Sequence, residues 1–134
     1  MANVLDVAAY ILSKQSPITA MKLQKLVYYS QAWSLVWDEK PLFESEVQAW
    51  RNGPVVPELY QAHKGQFQIE SLPGGDIDKL ADEEKETIDS VLEVYGDKSS
   101  QWLSDLTLME DPWNHARKGI PLNSSGGILR KSLD

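Results

Sequence analysis

Residues 23–33 constrain the fold more than any other part of the chain, because a helix drawn through them is apolar around nearly its whole circumference. The segment reads Leu-Gln-Lys-Leu-Val-Tyr-Tyr-Ser-Gln-Ala-Trp, and only a narrow strip through Gln24, Gln31 and Asp38 is consistently polar at helical spacing. A surface helix has a single apolar stripe, so a helix of this kind belongs in the middle of a fold. We therefore predict a central buried helix over about 19–37, with Thr19 as its N-cap.

Start and stop signals on both sides of this segment predict further helices. Asn3 precedes an amphipathic run that ends before Ser16-Pro17, since helical geometry is disfavoured in front of a proline. A second amphipathic run has an acidic first turn and is stopped by Gly96. The additional predicted helices lie at about 4–14, 57–63 and 82–95, after Ser99 or Ser100, and from Pro112 to about Gly119.

Two short segments favour β-structure. From Leu42 to Trp50 the apolar period shifts toward two, and 67–72 is a second candidate strand. We predict a mainly α (α+β) fold: a compact helical domain around the central helix, with a small β-hairpin of about 42–50 and 67–72. The domain is expected to span residues 1–120. A flexible or weakly helical tail should follow over 121–134, since Asn-Ser-Ser-Gly-Gly at 123–127 is typical of a linker.

Composition narrows the classes of function. The chain of 134 residues has no cysteine, which excludes disulfides, thiolate metal sites and cysteine nucleophiles. It has no apolar run of the roughly 20 residues needed to span a membrane, and its N-terminus does not resemble a signal peptide. We therefore expect a cytoplasmic protein with no membrane partner. Its net charge of −7 disfavours nucleic acid, because phosphate backbones repel such a chain.

No pattern of catalytic or metal-binding residues is present. His63 and His115 are far apart and lack metal-ligand spacing, and no serine lies in a Gly-x-Ser-x-Gly elbow. There is no phosphate-binding Walker loop. A hydrolase using paired carboxylates would need one acid in an apolar pocket, and the acidic run from Asp76 to Asp97 is typical of a solvated face. The sequence predicts a non-enzymatic protein without cofactor or metal.

Outside the central helix, the most informative segment is residues 50–57, which we call the corner. Asn52-Gly53-Pro54 is turn chemistry, Pro57 begins a short helix, and both prolines stiffen the backbone. Tryptophan and arginine are enriched among the residues that dominate binding energy at interfaces. The alternative is that Trp50 packs inward while Arg51 pairs with a nearby acid. For Trp113 and Arg117, on a later predicted helix, the alternative is an indole packed under a cation. The residues predicted to bind a partner are Trp50, Arg51, Asn52, Gly53, Pro54, Val55, Val56, Tyr60, Trp113 and Arg117.

Three motifs together resemble the Panacea domain, the family of SocA-like, phage-associated antitoxins. The first is Lys-Leu-Gln-Lys-Leu-Val-Tyr-Tyr-Ser-Gln-Ala at 22–32. The second, and the most specific, is Ala-Trp-Arg-Asn-Gly-Pro-Val-Val-Pro-Glu-Leu-Tyr at 49–60, preceded by Phe43 and Glu46. The third is Pro112-Trp113 with Ala116-Arg117 and Gly119. The resemblance covers residues 1 to about 120, and the tail departs from the family pattern.

The resemblance implies an antitoxin that neutralises a cognate protein toxin encoded beside it by direct contact. It also implies a second mode, in which the antitoxin is a proteolytic adaptor that delivers the toxin to a bacterial protease complex. The alternative function is a DNA-binding transcriptional regulator of its own toxin–antitoxin operon. A helix, a hairpin and a following helix are crudely similar to a winged helix, but the net charge of −7 disfavours this alternative.

Overall fold

The structure, a computed structural model, describes residues 2–110 and 128–129. Its α-helices are α1 (Val4–Lys14), α2 (Ala20–Trp37), α3 (Pro57–His63), α4 (Asp82–Tyr95) and α5 (Ser100–Leu108). Its strands are β1 (Ile18–Thr19), β2 (Val47–Trp50), β3 (Gly53–Val55), β4 (Gln68–Ile69) and β5 (Ile128–Leu129), and a 3-10 turn spans Ile77–Lys79. The predicted mainly α fold with a minor β component is confirmed.

Side-chain caps define where the first two helices begin. The Asn3 side chain accepts from the Asp6 amide at 3.0 Å, and the Asp6 carboxylate accepts from the Asn3 amide at 2.8 Å, which completes a capping box. The Thr19 hydroxyl accepts from the Lys22 amide at 3.1 Å at the start of α2. Both predicted helix starts are confirmed, because the caps are local features that the sequence shows directly.

Helix α2 lies at the centre of the fold and packs against α1, α4, α5 and the corner. Its apolar residues Leu23, Leu26 and Val27 have no exposed surface. The polar strip is buried as well at Gln24 and Gln31, whose side chains bind loop backbone instead of water. The predicted central buried helix is confirmed, although Val36 and Trp37 at its end are exposed to solvent.

The predicted pairing of 42–50 with 67–72 is wrong. Strand β2 begins only at Val47 and pairs antiparallel with β3, whereas β4 pairs with β1. The physical reason is a local one: Gly53, at φ +121°, lets the chain reverse over a two-residue loop, so the hairpin closes without a distant strand. Leu42 and Phe43 are not available for a ladder, because their backbone groups bind the Gln31 side chain.

The C-terminal part of the chain is described only at Ile128 and Leu129. These two residues form β5, antiparallel to Val47 and Gln48 of β2, so the backbone there is extended and not helical. The predicted helix near 112–119, with Trp113, His115 and Arg117, and the rest of the predicted tail lie outside the described residues. Across the described ranges, none of the helices combines the length and the apolarity that crossing a bilayer requires.

Candidate partner-binding site

The backbone of the corner is held by a side chain from the central helix. Gln24, buried in the second turn of α2, accepts from the Val56 amide at 2.9 Å and donates from its own amide to the Val56 carbonyl at 3.3 Å. One glutamine thus binds both backbone groups of a buried residue. It satisfies the Val56 amide and adds a second hydrogen bond to the Val56 carbonyl, which also accepts from the Tyr60 amide at 2.9 Å. This double contact fixes the point at which the corner turns into α3.

Two further side chains hold the backbone just before Val56. The Lys25 ammonium of α2 donates to the Pro54 carbonyl at 3.1 Å, and the Ser104 hydroxyl of α5 donates to the Asn52 carbonyl. The backbone of residues 52–56 is therefore fastened to two helices by side-chain hydrogen bonds. These hydrogen bonds hold the backbone of the corner in the conformation that the structure shows.

Gly53 is the position in the corner that requires a glycine. Its φ of +121° is a backbone conformation that residues with a side chain rarely adopt. A Cβ placed there would lie 2.6 Å from the Thr107 hydroxyl oxygen and 2.7 Å from Cε of Lys25. The missing side chain lets α2, α5 and the turn approach one another closely.

A cleft of about 280 Å³ opens between the start of α2, the corner and α3. Arg51 and Asn52 are exposed at its rim, and Trp50, Val55 and Tyr60 are half-buried along its wall. The Trp50 and Tyr60 rings meet edge to face with their centroids 5.1 Å apart, and the Trp50 indole N–H donates to the Gln48 side chain at 2.8 Å. The cleft therefore has a fixed aromatic wall beside a cationic rim.

The family model described as "Antitoxin SocA-like, Panacea domain" matches residues 23–114, more than half of the chain. The chain belongs to this family. The family resemblance inferred from its motifs is thereby confirmed. No curated protein and no solved structure matches the chain. The match includes the corner, α3, α4, α5 and nearly all of α2, and thus most of the residues that line the cleft.

The structure divides the predicted partner-binding residues of this Panacea domain into two groups. Five of them line the cleft: Trp50, Arg51, Asn52, Val55 and Tyr60. Gly53, Pro54 and Val56 are buried behind it and shape the corner without presenting a side chain to a partner. Trp113 and Arg117 lie outside the described residues. Trp50 is half-buried: its ring packs against Tyr60 and also lines the cleft, and its role in binding stays a prediction.

Sequence reasoning missed Lys25, which lines the cleft although it is only 1% exposed. Burial lowers the pKa of its ammonium from 10.5 to about 7, because a charged group loses its hydration there. The available signal was a lysine on a helix that is apolar almost all round. A lysine in such a helix has to be buried unless its side chain reaches out to water.

His63 lies at the other side of the cleft and is structural in this Panacea domain. Its Nε2 lies 3.0 Å from the amide nitrogen of Gln24, and burial lowers its pKa. Because the Gln24 amide is a donor, this ring nitrogen accepts, which fits a neutral imidazole. Among residues 2–110 and 128–129, no group of three or more His, Asp or Glu side chains is placed to hold a metal ion.

Proposed function

We propose that this Panacea domain is an antitoxin-type interaction module that neutralises a cognate protein toxin by binding it directly at the corner and its cleft. The observation that supports this most is the fastening of the backbone of 52–56 to α2 and α5. A docking surface that is ordered in advance loses little conformational entropy on association. The module would act by contact and would need no chemistry of its own.

The side chains around the cleft are of the kinds that dominate interface energetics. Trp50 and Tyr60 provide rigid aromatic area, and Arg51 provides a cation at the exposed rim. Val55 adds an apolar contact between them. Blocking a toxin and delivering it to a bacterial protease both begin with the same binary contact, so one test addresses the step that the two modes share.

The test is rescue of cells from the toxin encoded beside this protein, with the double variant Arg51→Ala/Val55→Ala. Loss of two such anchors should cost at least ~2 kcal/mol of binding free energy, which is about thirtyfold in affinity, and rescue should fail. The matched control is Lys79→Ala/Val94→Ala, which also removes one cation and one valine, both exposed and far along the chain from the cleft.

Circular dichroism and thermal melting of both double variants show whether the fold is intact. Failed rescue by the first variant and full rescue by the control would support the proposal. Full rescue by a well-folded Arg51→Ala/Val55→Ala protein would overturn the assignment of the cleft as the toxin-binding surface.

A further inference from the structure

The floor of the cleft contains a buried amine with unused hydrogen-bond capacity. A lysine ammonium has three donors. In the part of the chain that the structure describes, Nζ of Lys25 donates to Pro54 O, and no carboxylate is paired with this buried group. Buried ammonium groups are ordinarily paired, because an isolated charge away from water is costly. Lys25 therefore has donors that an incoming acceptor could use.

The charge of the cleft is opposite to that of the whole chain. The chain has 20 acidic and 13 basic residues, yet the described residues that line the cleft include the cations Lys25 and Arg51 and no Asp or Glu. Met21, Trp50 and Val55 add apolar surface around them. A carboxylate that enters this cleft passes Arg51 at the rim and meets Lys25 at the floor, so attraction acts along the whole path.

We propose that the cleft receives an acidic side chain of the toxin, whose carboxylate accepts a hydrogen bond from Lys25 Nζ at the floor. This inference rests on the proposed function, since it names the partner chemistry of the same site. It also accounts for a lysine kept inside an otherwise apolar helix. The carboxylate would supply a counter-charge to the buried ammonium, for which the described residues provide none.

A side chain suits the cleft better than a chain terminus does. A C-terminal carboxylate brings a backbone N–H that needs an acceptor of its own. The buried acceptors of the floor each accept a hydrogen bond already: Pro54 O from Lys25, the Gln24 carbonyl from the Val56 amide, and His63 Nε2 from the Gln24 amide. A glutamate or aspartate side chain brings acceptors alone, and acceptors are what the amine needs.

Binding of a carboxylate should change the protonation of Lys25. In the free protein the Lys25 pKa is about 7, so near neutral pH a large fraction of the amine is uncharged. A bound carboxylate stabilises the charged form of Lys25 and therefore raises its pKa. By linkage, each unit of this increase means that the carboxylate binds the charged form ten times more tightly than the neutral form. The other titratable groups facing the cleft are Arg51, Tyr60 and His63.

The experiment titrates the wild-type protein with three small probes and follows the NMR signals of the cleft residues and of Lys25 Cε. The probes are acetyl-glutamate amide, which has only a side-chain carboxylate, its neutral analogue acetyl-glutamine amide, and acetyl-glutamine, which has only a terminal carboxylate. We expect saturable binding of the first, at least tenfold weaker binding of the other two, and an increase of about one unit in the Lys25 pKa. Lys25→Met should abolish the difference between the glutamate and glutamine amides.

Equal binding of the glutamate and glutamine amides, no saturable binding of any probe, or an unchanged Lys25 pKa would each overturn the inference. Preference for acetyl-glutamine would overturn the choice of a side chain. The pKa readout uses the wild-type protein and does not depend on whether Lys25→Met folds. If the probes fail while Arg51→Ala/Val55→Ala still loses rescue, the proposed function stands and only the acidic partner is excluded.

Discussion

Gly53 shows how much of the site depends on a single residue. The absence of one Cβ lets the turn, Lys25 and Thr107 approach within contact distance, and the positive φ closes the two-residue hairpin loop. Lys25 depends on the same approach, because its ammonium reaches Pro54 O over the space that a side chain at 53 would fill. The conformation of the corner is therefore set by the packing of Gly53 against Lys25 and Thr107.

Gly53→Ala is therefore expected to be far more damaging than alanine at another left-handed glycine. It should lower the free energy of unfolding by at least ~2 kcal/mol, from backbone strain together with overlap against Thr107 and Lys25. Gly65→Ala is the matched control: Gly65 has φ +87° but nothing within 4 Å of an added Cβ, so it should cost only about 1 kcal/mol. Urea denaturation measures both, and equal losses would show that the close approach at Gly53 contributes nothing.

At the scale of elements, two glutamines in the polar strip of α2 hold neighbouring segments by hydrogen bonds to their backbone. Gln24 holds the corner through Val56, and Gln31, two turns later, holds the loop at 42–43 through two amides and a carbonyl. The central helix thus holds both the corner, which contains β3, and the loop at 42–43, which has no regular structure. Gln24 and Gln31, which the helical pattern marks only as polar, are in fact buried and hydrogen-bonded to the backbone of neighbouring segments.

These two glutamines form a matched pair of variants. Gln24→Ala and Gln31→Ala should each lower the free energy of unfolding by roughly 1–3 kcal/mol. The first removes the side-chain acceptor of the buried Val56 amide, and the second removes the acceptor of the Leu42 and Phe43 amides. Only Gln24→Ala should also reduce the hydrogen-exchange protection of the Val56 amide relative to that of Leu26 in the core. The idea that Gln24 preorganises the corner would be wrong if Val56 kept its relative protection in that variant.

The same elements show what can be predicted from sequence and what cannot. Helix starts follow from caps a few residues long, so α1 and α2 begin where Asn3 and Thr19 indicate. Strand pairing is a competition between distant partners, and the local hairpin at Gly53 takes β2 away from the segment near Phe67. The role of Lys25 depends on α5 and the turn closing over it, which no local pattern shows.

At the scale of the whole molecule, an acidic chain has a cleft whose described lining residues include no Asp or Glu. The acidic first turn of α4 is exposed to solvent, with Glu83 paired to Lys40 across the surface. Five of the residues that the sequence predicts to bind a partner meet at the cleft, because β2, β3 and α3 follow one another closely in the chain. Membership of the Panacea family and the shape of the corner therefore favour the same kind of function, which is recognition of another protein.

The central claim is that the toxin binds at the corner and its cleft. Hydroxyl-radical footprinting of the purified complex tests it most directly, because oxidation reports the exposure of individual tryptophans and tyrosines. Relative to the free protein, Trp50 and Tyr60 should become several-fold less oxidised. Trp37 and Trp102, which are 50% and 45% exposed, should react as before. Protection of Trp37 or Trp102 with unchanged oxidation of Trp50 and Tyr60 would contradict the claim.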